Sequence, residues 1–391
     1  MWTGLVTVSE IGDDALYFAL GWTATGYGGT VTGWVLAATV GPRVLLTLVG
    51  GAVTDRLNPR SVVACAEGTL ALGCAGTAVL LVLIGPSVWL LVAFAMLLGI
   101  ATAFQFPASG ALTVSVVATD DLPRAMGLRQ LGYHVASLTG GPVGGLLVAV
   151  GGLLLVLGVN AATFLMVLGS VLLLRPAVSD RAPRESLART IGAGLRTAWS
   201  DRALRTVFGL YAVIAGCALP VVALLVPLLG REQARTAAQA GLIVGAMGLG
   251  GAVTALVVAR FGVYRHAATA IAVSLGACAA GMLLLAATAT LPVSIAAGLL
   301  QGAGLAAFIA HAGPLVVALS PPAQIGRLQS VLSVVQSVAL IVTNPALGAL
   351  AQATTARAAV AAAAVPLLVA AALTVRLDLS RSDQPGGGVR R

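Results

Sequence analysis

Long apolar runs alternate with short polar breaks along the whole chain, at positions 2–23, 30–54, 61–84, 87–117, 125–149, 152–175, 205–229, 236–259, 266–287, 290–319, 325–351 and 355–376. An uncharged run of about 20 residues is what a helix needs to cross the hydrocarbon core of a bilayer. The pattern therefore predicts an all-α polytopic membrane protein with twelve transmembrane helices. The first run carries Glu10, Asp13 and Asp14, and the Gly-rich break Thr25-Gly-Tyr-Gly-Gly-Thr30 separates it from the second. One merged segment is the alternative there.

The breaks repeat. Gly50-Gly-Ala-Val-Thr-Asp-Arg-Leu-Asn-Pro-Arg60 puts Asp55 and Arg56 where an apolar helix leaves a membrane. Asn58 can take the left-handed conformation of a sharp reversal, and Pro59 cannot continue the incoming helix. The opening returns as Gly250-Gly-Ala-Val-Thr254, followed by a second basic turn from Arg260 to Arg265. Arg124 precedes Pro142 by 18 residues, and Arg327 precedes Pro345 by 18. Offsets of 200 and 203 residues agree on one duplication, and parallel six-helix halves related by an axis along the membrane normal are a transporter architecture.

The predicted organisation is a six-helix bundle over 1–176, a linker over 177–204, a second six-helix bundle over 205–376 and a tail over 377–391. Within the linker Leu187, Ile191, Leu195 and Trp199 recur every four residues, with Arg189, Arg196 and Arg202 off that line and Ser186 as N-cap. An amphipathic helix in the plane of the inner leaflet fits, against a solvated linker as the alternative. The tail has too little apolar content to fold.

Arginine placement sets the orientation. With the N-terminus inside, the inner loops and tail hold eighteen arginines and the outer loops three, Arg231, Arg235 and Arg357. That asymmetry puts both termini in the cytoplasm.

Composition agrees, with 59% hydrophobic and 9% charged residues against roughly 45–50% and 25% in soluble domains. Lysine is absent, which excludes a phosphate-binding loop with its lysine and any lysine Schiff base. The net charge of +9 lies in short loops between apolar segments, so anionic lipid and not nucleic acid is its expected counterpart. Cys65, Cys74, Cys217 and Cys278 fall inside apolar stretches without metal-site spacing and read as packing residues. The first residues lack a basic leader and are expected to be retained.

Several stretches resemble the major facilitator superfamily. Gly51-x-x-x-Asp55-Arg56-x-Asn58-Pro59-Arg60 is similar to its signature between helices two and three, with asparagine for the usual glycine and proline for one basic residue. Ser137-Leu-Thr-Gly-Gly141-Pro142-Val-Gly144-Gly145 resembles the fifth-helix signature of exporters. Ser9 to Asp13, Leu122 to Gly127 and Gly194 to Leu204 look like the branch containing macrolide and enterobactin efflux proteins. The resemblance implies two pseudo-symmetric six-helix bundles and alternating access. Helix four lacks the arginine that many proton-coupled drug antiporters of related branches carry.

Ionisable groups at mid-membrane depth are functional hypotheses by default. Arg43 lies twelve residues before Asp55, about 18 Å into the membrane at 1.5 Å per residue. Glu10, Asp13 and Asp14 reach a similar depth on helix one, and Glu10, Asp13 or Asp14, and Tyr17 share one helical face. One of these acids is the expected proton site, with a permanent ion pair to Arg43 as the alternative. Gly51, Asp55, Arg56 and Arg60 are the expected cytoplasmic gate, against a purely topogenic role. Gly141, Pro142, Gly144 and Gly145 predict a close packing seam between the halves. If the family fold holds, Tyr17, Gln105, Tyr211, Gln301 and His311 line the substrate cavity; His134 and Glu67 are ambiguous between structure and function.

The reading is a proton-coupled exporter of small hydrophobic or weakly cationic molecules in the cell membrane, multi-pass, monomeric and lipid-embedded. No enzymatic activity, cofactor, metal or nucleic-acid partner is expected. A nutrient importer of the same fold and a non-transporting sensor are the alternatives. An intramembrane serine protease would need a nucleophile motif near one of the three histidines, and none is recognisable.

Overall fold

The computed structural model describes residues 2–56, 58–117, 121–173, 199, 201–264, 266–321 and 324–375. They form helices α1 (Trp2–Ala24), α2 (Gly29–Arg56), α3 (Pro59–Ile84) and α4 (Val88–Val116), then a continuous segment Leu122–Leu173. That segment breaks at Gly151 and Gly152 into α5 (122–150) and α6 (153–173). Gly152 has φ +63° and ψ −163°, a conformation reserved in practice for glycine, so the chain reverses without a polar loop. The second half comprises α7 (Arg202–Glu232), α8 (Ala237–Phe261), α9 (Ala267–Ala287), α10 (Leu291–Leu319), α11 (Ile325–Ala353) and α12 (Ala356–Val375).

The described residues are those of a multi-pass membrane protein, with twelve helices among them in two pseudo-symmetric six-helix bundles. Helix starts follow the caps that the sequence offers. Ser87, Asp201 and Thr236 accept from the first free N–H groups of α4, α7 and α8, and Thr236 with Gln239 forms a reciprocal capping box. The α1–α2 alternative is resolved as two helices, joined by a 3₁₀ turn over Thr25–Tyr27 and by Gly28 at φ +96°.

One local expectation is corrected. Asn58 is not left-handed; it is extended at φ −66°, ψ 125°, and its side chain accepts from the Arg60 N–H at 3.1 Å as the N-cap of α3. Pro59 then occupies the first helical position, where its missing N–H costs nothing. The linker, apart from Trp199 and from Asp201 onward, lies outside the described residues, as does the tail, and with them the expected amphipathic helix.

Two seams join the halves: α2 lies along α11, and α5 along α8. Both are lined by residues without side chains. A Cβ at Gly33 would meet the backbone of Asn344 and Pro345, and one at Gly241 would lie 2.6 Å from the Gly141 carbonyl oxygen. The cross-half approaches at glycine run from mid-helix, at Gly248 against Leu138, to the end that carries the α1–α2 connection, at Gly21 against Ala223 and Gly29 against Gly348. At that end the bundles are closed on each other. Toward the opposite end, where α1 begins and α12 ends, Arg43, Phe106 and Tyr133 are exposed.

α7 is not a uniform helix. Pro220 is followed by a π turn over Val221–Leu225, which is fully packed and carries the Ala223 carbonyl against Gly21 of α1. π turns inside helices store a local irregularity that is common where segments move.

Candidate functional site

The polar residues of the first bundle collect around α1. Gly140 and Gly144 of α5 bring that helix against Asp14 and Ala15, because a side chain at either position would strike α1. Gly12 does the same for α6, its missing Cβ leaving room for Asn160 and Thr163. Asp13 and Asp14 are thereby held half-buried between helices and not on lipid. Tyr17 and Tyr133 each lie within electrostatic reach of both Asp14 and Arg43, and Arg129 within reach of Glu10. Arg43 places its guanidinium 5.5 Å from the centre of the Phe106 ring. Tyr17 and Tyr133 thus link Asp14 of α1 with Arg43 of α2, each phenol standing in the field of both.

The first bundle holds a second polar group. Glu67 of α3 is 3% exposed, within electrostatic reach of Asp13, and its Oε1 accepts from Gln105 Nε2 at 2.7 Å.

The gate residues divide. Gly51, Asp55 and Arg56 belong to the last turns of α2, and their surroundings lie outside the described residues, as do those of Arg124 and His134. Arg60 is placed within its own half. Its Nε donates to the Val171 carbonyl at 2.9 Å and its Nη2 to Leu172, so it closes the C-terminal end of α6. A cation there also meets the negative end of the helix dipole.

The fifth-helix motif is two-sided. Gly141 and Gly145 face Val244, Ala237 and Gly241 of α8, and Pro142 sits against Gly245, all across the seam between halves. Gly144 turns the other way, onto Ala15 of α1.

The expected cavity residues are not gathered around one space. Tyr17 stands in the field of Asp14 and Arg43, while Gln105 is held by Glu67. Gln301 is 1% exposed and packs against Gly281 in the α9–α10 interface. Tyr211 is buried edge-on against Phe308 at 5.0 Å. His311 accepts from the Tyr264 N–H at 3.1 Å through Nε2, with its Nδ1 2.7 Å from the Ala307 carbonyl, so it fixes the α8–α9 connection. Among the described residues no group of three or more His, Cys, Asp or Glu could hold a metal ion.

Sequence reasoning missed the contacts that close the bundles. Arg231 at the end of α7 lies 4.7 Å over the ring of Trp22 of α1, and its Nε donates to Thr25 Oγ1 at 3.3 Å. The Thr30 N–H of α2 donates to Gln352 Oε1 of α11 at 2.9 Å. Beside them Glu232 accepts from the Ala356 N–H at 2.6 Å and lies 3.9 Å from Arg357. Arg235 donates to Ser294 at 2.7 Å and to the Ala289 carbonyl; burial, with Arg357 nearby, lowers its guanidinium from the ordinary value. The available signal was the arginine content itself: only three arginines fall in loops on this side, so each had room for a specific partner.

Residues 1–386 match the family model described as transmembrane secretion effector. The chain is 28% identical over 211 residues to the enterobactin exporter EntS of Shigella dysenteriae serotype 1, which covers 54% of this chain and 50% of that protein. The EntS of Escherichia coli O1:K1 matches to the same extent. The chain thus spans about half the length of the curated relatives it matches. In fold it is similar to the nucleoside transporter NupG, with a TM-score of 0.74 at 14% identity over 96% of this chain and 97% of that one. It is also similar to a bacterial homologue of the iron transporter ferroportin in an inward-facing state, with a TM-score of 0.72 at 18% identity over 96% and 97%.

Proposed function

This chain belongs to the transmembrane secretion effector family of the major facilitator superfamily, and on that premise we propose that it is a proton-coupled exporter of small hydrophobic or weakly cationic molecules, acting by alternating access in the inner or plasma membrane. The bundles, 1–176 and 205–376, are the rocking bodies, and the protein works as a monomer among anionic lipids that its arginines face. Similarity to an enterobactin exporter over half the chain supports efflux. The arginine asymmetry orients the termini, and with them the open end, toward the cytoplasm. An exporter loads its cargo in that state.

The observation that carries the proton reading is that Tyr17 and Tyr133 each stand in the field of both Asp14 and Arg43. A carboxylate at mid-depth is costly unless a cation or a proton neutralises it. Proton binding on α1 changes its attraction to α2 and so biases the two bundles between states. Bringing one proton inward across 100 mV releases about 2.3 kcal/mol, enough for roughly a fortyfold gradient of a neutral solute. The gate reading is kept for Gly51, Asp55, Arg56 and Arg60; the bonds of Arg60 within its own half are what a gate charge makes while the halves are apart at that end.

The test uses inverted membrane vesicles with an imposed proton gradient. Asp13→Asn and Asp14→Asn are measured separately for uphill uptake, and one of them is expected to lose coupling while retaining downhill exchange. Unchanged coupling in both removes the proton reading, and uptake seen only in right-side-out vesicles removes the direction.

A further inference from the structure

Glu67 and Gln105 are a buried carboxyl and a primary amide in contact, each the one such group on its helix: α3 carries no other acid and α4 no other amide. Only half of their pairing capacity is used. Glu67 Oε1 accepts from Gln105 Nε2, while Glu67 Oε2 is buried without a hydrogen-bond partner. An ionised carboxylate with a bare oxygen, 3% exposed in a membrane-embedded bundle, is among the most expensive arrangements a fold can hold. Elsewhere in the first bundle the Asn160 Oδ1 directed at Gly12 and the Ser9 Oγ are also buried without partners, at 0% and 5% exposure. A proton on Glu67 Oε2 would remove both costs at once, the buried charge and the bare acceptor.

We propose that Glu67 and Gln105 form a proton-binding site inside the first bundle, behind the α1 acids, in which the proton adds to Glu67 Oε2 and is donated to Gln105 Oε1. Rotation of the amide brings this second bond in beside the existing one, closing an acid–amide ring of two hydrogen bonds. The site's ligand is the proton alone. Its occupancy controls Asp13, because two ionised carboxylates sharing a low-dielectric site repel, so Asp13 ionises readily only while Glu67 is neutral. The titratable group that faces Glu67 is Asp13 of α1, and Asp13 in turn stands in the field of Glu10 and Asp14 of its own helix and of Cys74 of α3; Tyr133 of α5 and Arg43 of α2 lie one step further, in the field of Asp14 and of each other. The inference rests on the proton-coupled reading only for its consequence in transport; the protonation itself is readable without transport.

Infrared difference spectroscopy of the purified full chain in lipid bilayers, at neutral pH, tests it. The wild type is expected to show a carboxylic-acid C=O band that deuteration shifts and that Glu67→Gln removes. Gln105→Met, which keeps the acid and removes its partner, is expected to move the band without abolishing it, and this variant decides the matter if Glu67→Gln does not fold. A Glu67 seen only as carboxylate, or a band indifferent to Gln105→Met, overturns the proposal. In inverted vesicles with ethidium as probe, Glu67→Gln is expected to slow proton-driven uptake at least tenfold. A wild type that ignores the proton gradient sinks the proton-coupled reading and leaves the infrared assignment of Glu67 intact; a coupled wild type matched by Glu67→Gln sinks Asp13 control by Glu67.

Discussion

Arg231 and Trp22 come from opposite halves of the chain and meet with the guanidinium 4.7 Å over the indole ring. Gly230 makes this possible, since a Cβ there would stand 3.1 Å from the same ring. The pair sits at the closed end, beside the Arg231–Thr25 hydrogen bond and the contact of Gly21 with the π turn of α7.

A cation–π contact of this kind is worth about 0.5–1 kcal/mol where solvent reaches it. Arg231→Gln and Trp22→Leu are each expected to shift the ratio of closed to open states at this end by about two- to fivefold. The measurement is labelling of a cysteine introduced near this end, or a distance between spin labels on α1 and α7. In the double variant the second substitution adds nothing if the two residues act on each other, whereas full additivity refutes the latch.

Gly145→Ala should separate α5 from α8, because the new methyl would lie 2.5 Å from the Ala237 carbonyl oxygen and 3.0 Å from the Gly241 Cα, both backbone atoms that cannot step aside. A loss of transport of tenfold or more is expected. Gly158→Ala and Gly169→Ala, where nothing lies within 4 Å, serve as controls. These should leave transport intact and raise stability by about 0.5–1 kcal/mol each. Equal effects at all three positions would rule out a seam.

Arg60→Ala is expected to cost about 1 kcal/mol of stability, through the uncapped end of α6, with Arg60→Lys recovering only part because a single ammonium cannot hold both the Val171 and Leu172 carbonyls. Thermal unfolding in detergent reads this directly. A variant of normal stability whose conformational equilibrium is shifted would show that Arg60 acts in the gate and not as a helix cap.

Asn58→Ala and Asn58→Gly separate a cap from a turn. As the N-cap of α3, Asn58 should lose about 1 kcal/mol on replacement by alanine and only a few tenths by glycine. Stabilisation by glycine would restore the left-handed reading.

The helices were legible because charge and glycine punctuate an otherwise apolar chain. Pro59 marks a helix start in the sequence as it does in space, whereas the seventh helix begins at Arg202 behind the Asp201 cap, three residues before the apolar run that announced it. Asn58 was misread because left-handed turn and N-cap share the same residue preferences, and only the backbone distinguishes them. The pairings in the site were not legible. Trp22 and Arg231, or Glu67 and Gln105, show no periodicity linking them, and long-range partners of this kind depend on helix rotations that no local pattern sets. His311 illustrates the converse: a histidine in an apolar run suggests a ligand group, yet both of its ring nitrogens are engaged with backbone.

Consecutive glycines on α5 face opposite neighbours, Gly140 toward Asp14 and Gly141 toward Val244. Neither flank has slack for a single methyl group, so this helix cannot spin about its own axis to accommodate a change on one side only. Any displacement of α1 that follows a change of charge at Asp14 is handed on, through the width of one backbone, to the opposite bundle. The helix is in this sense a pushrod, because glycine leaves no side chain on either flank to absorb the movement.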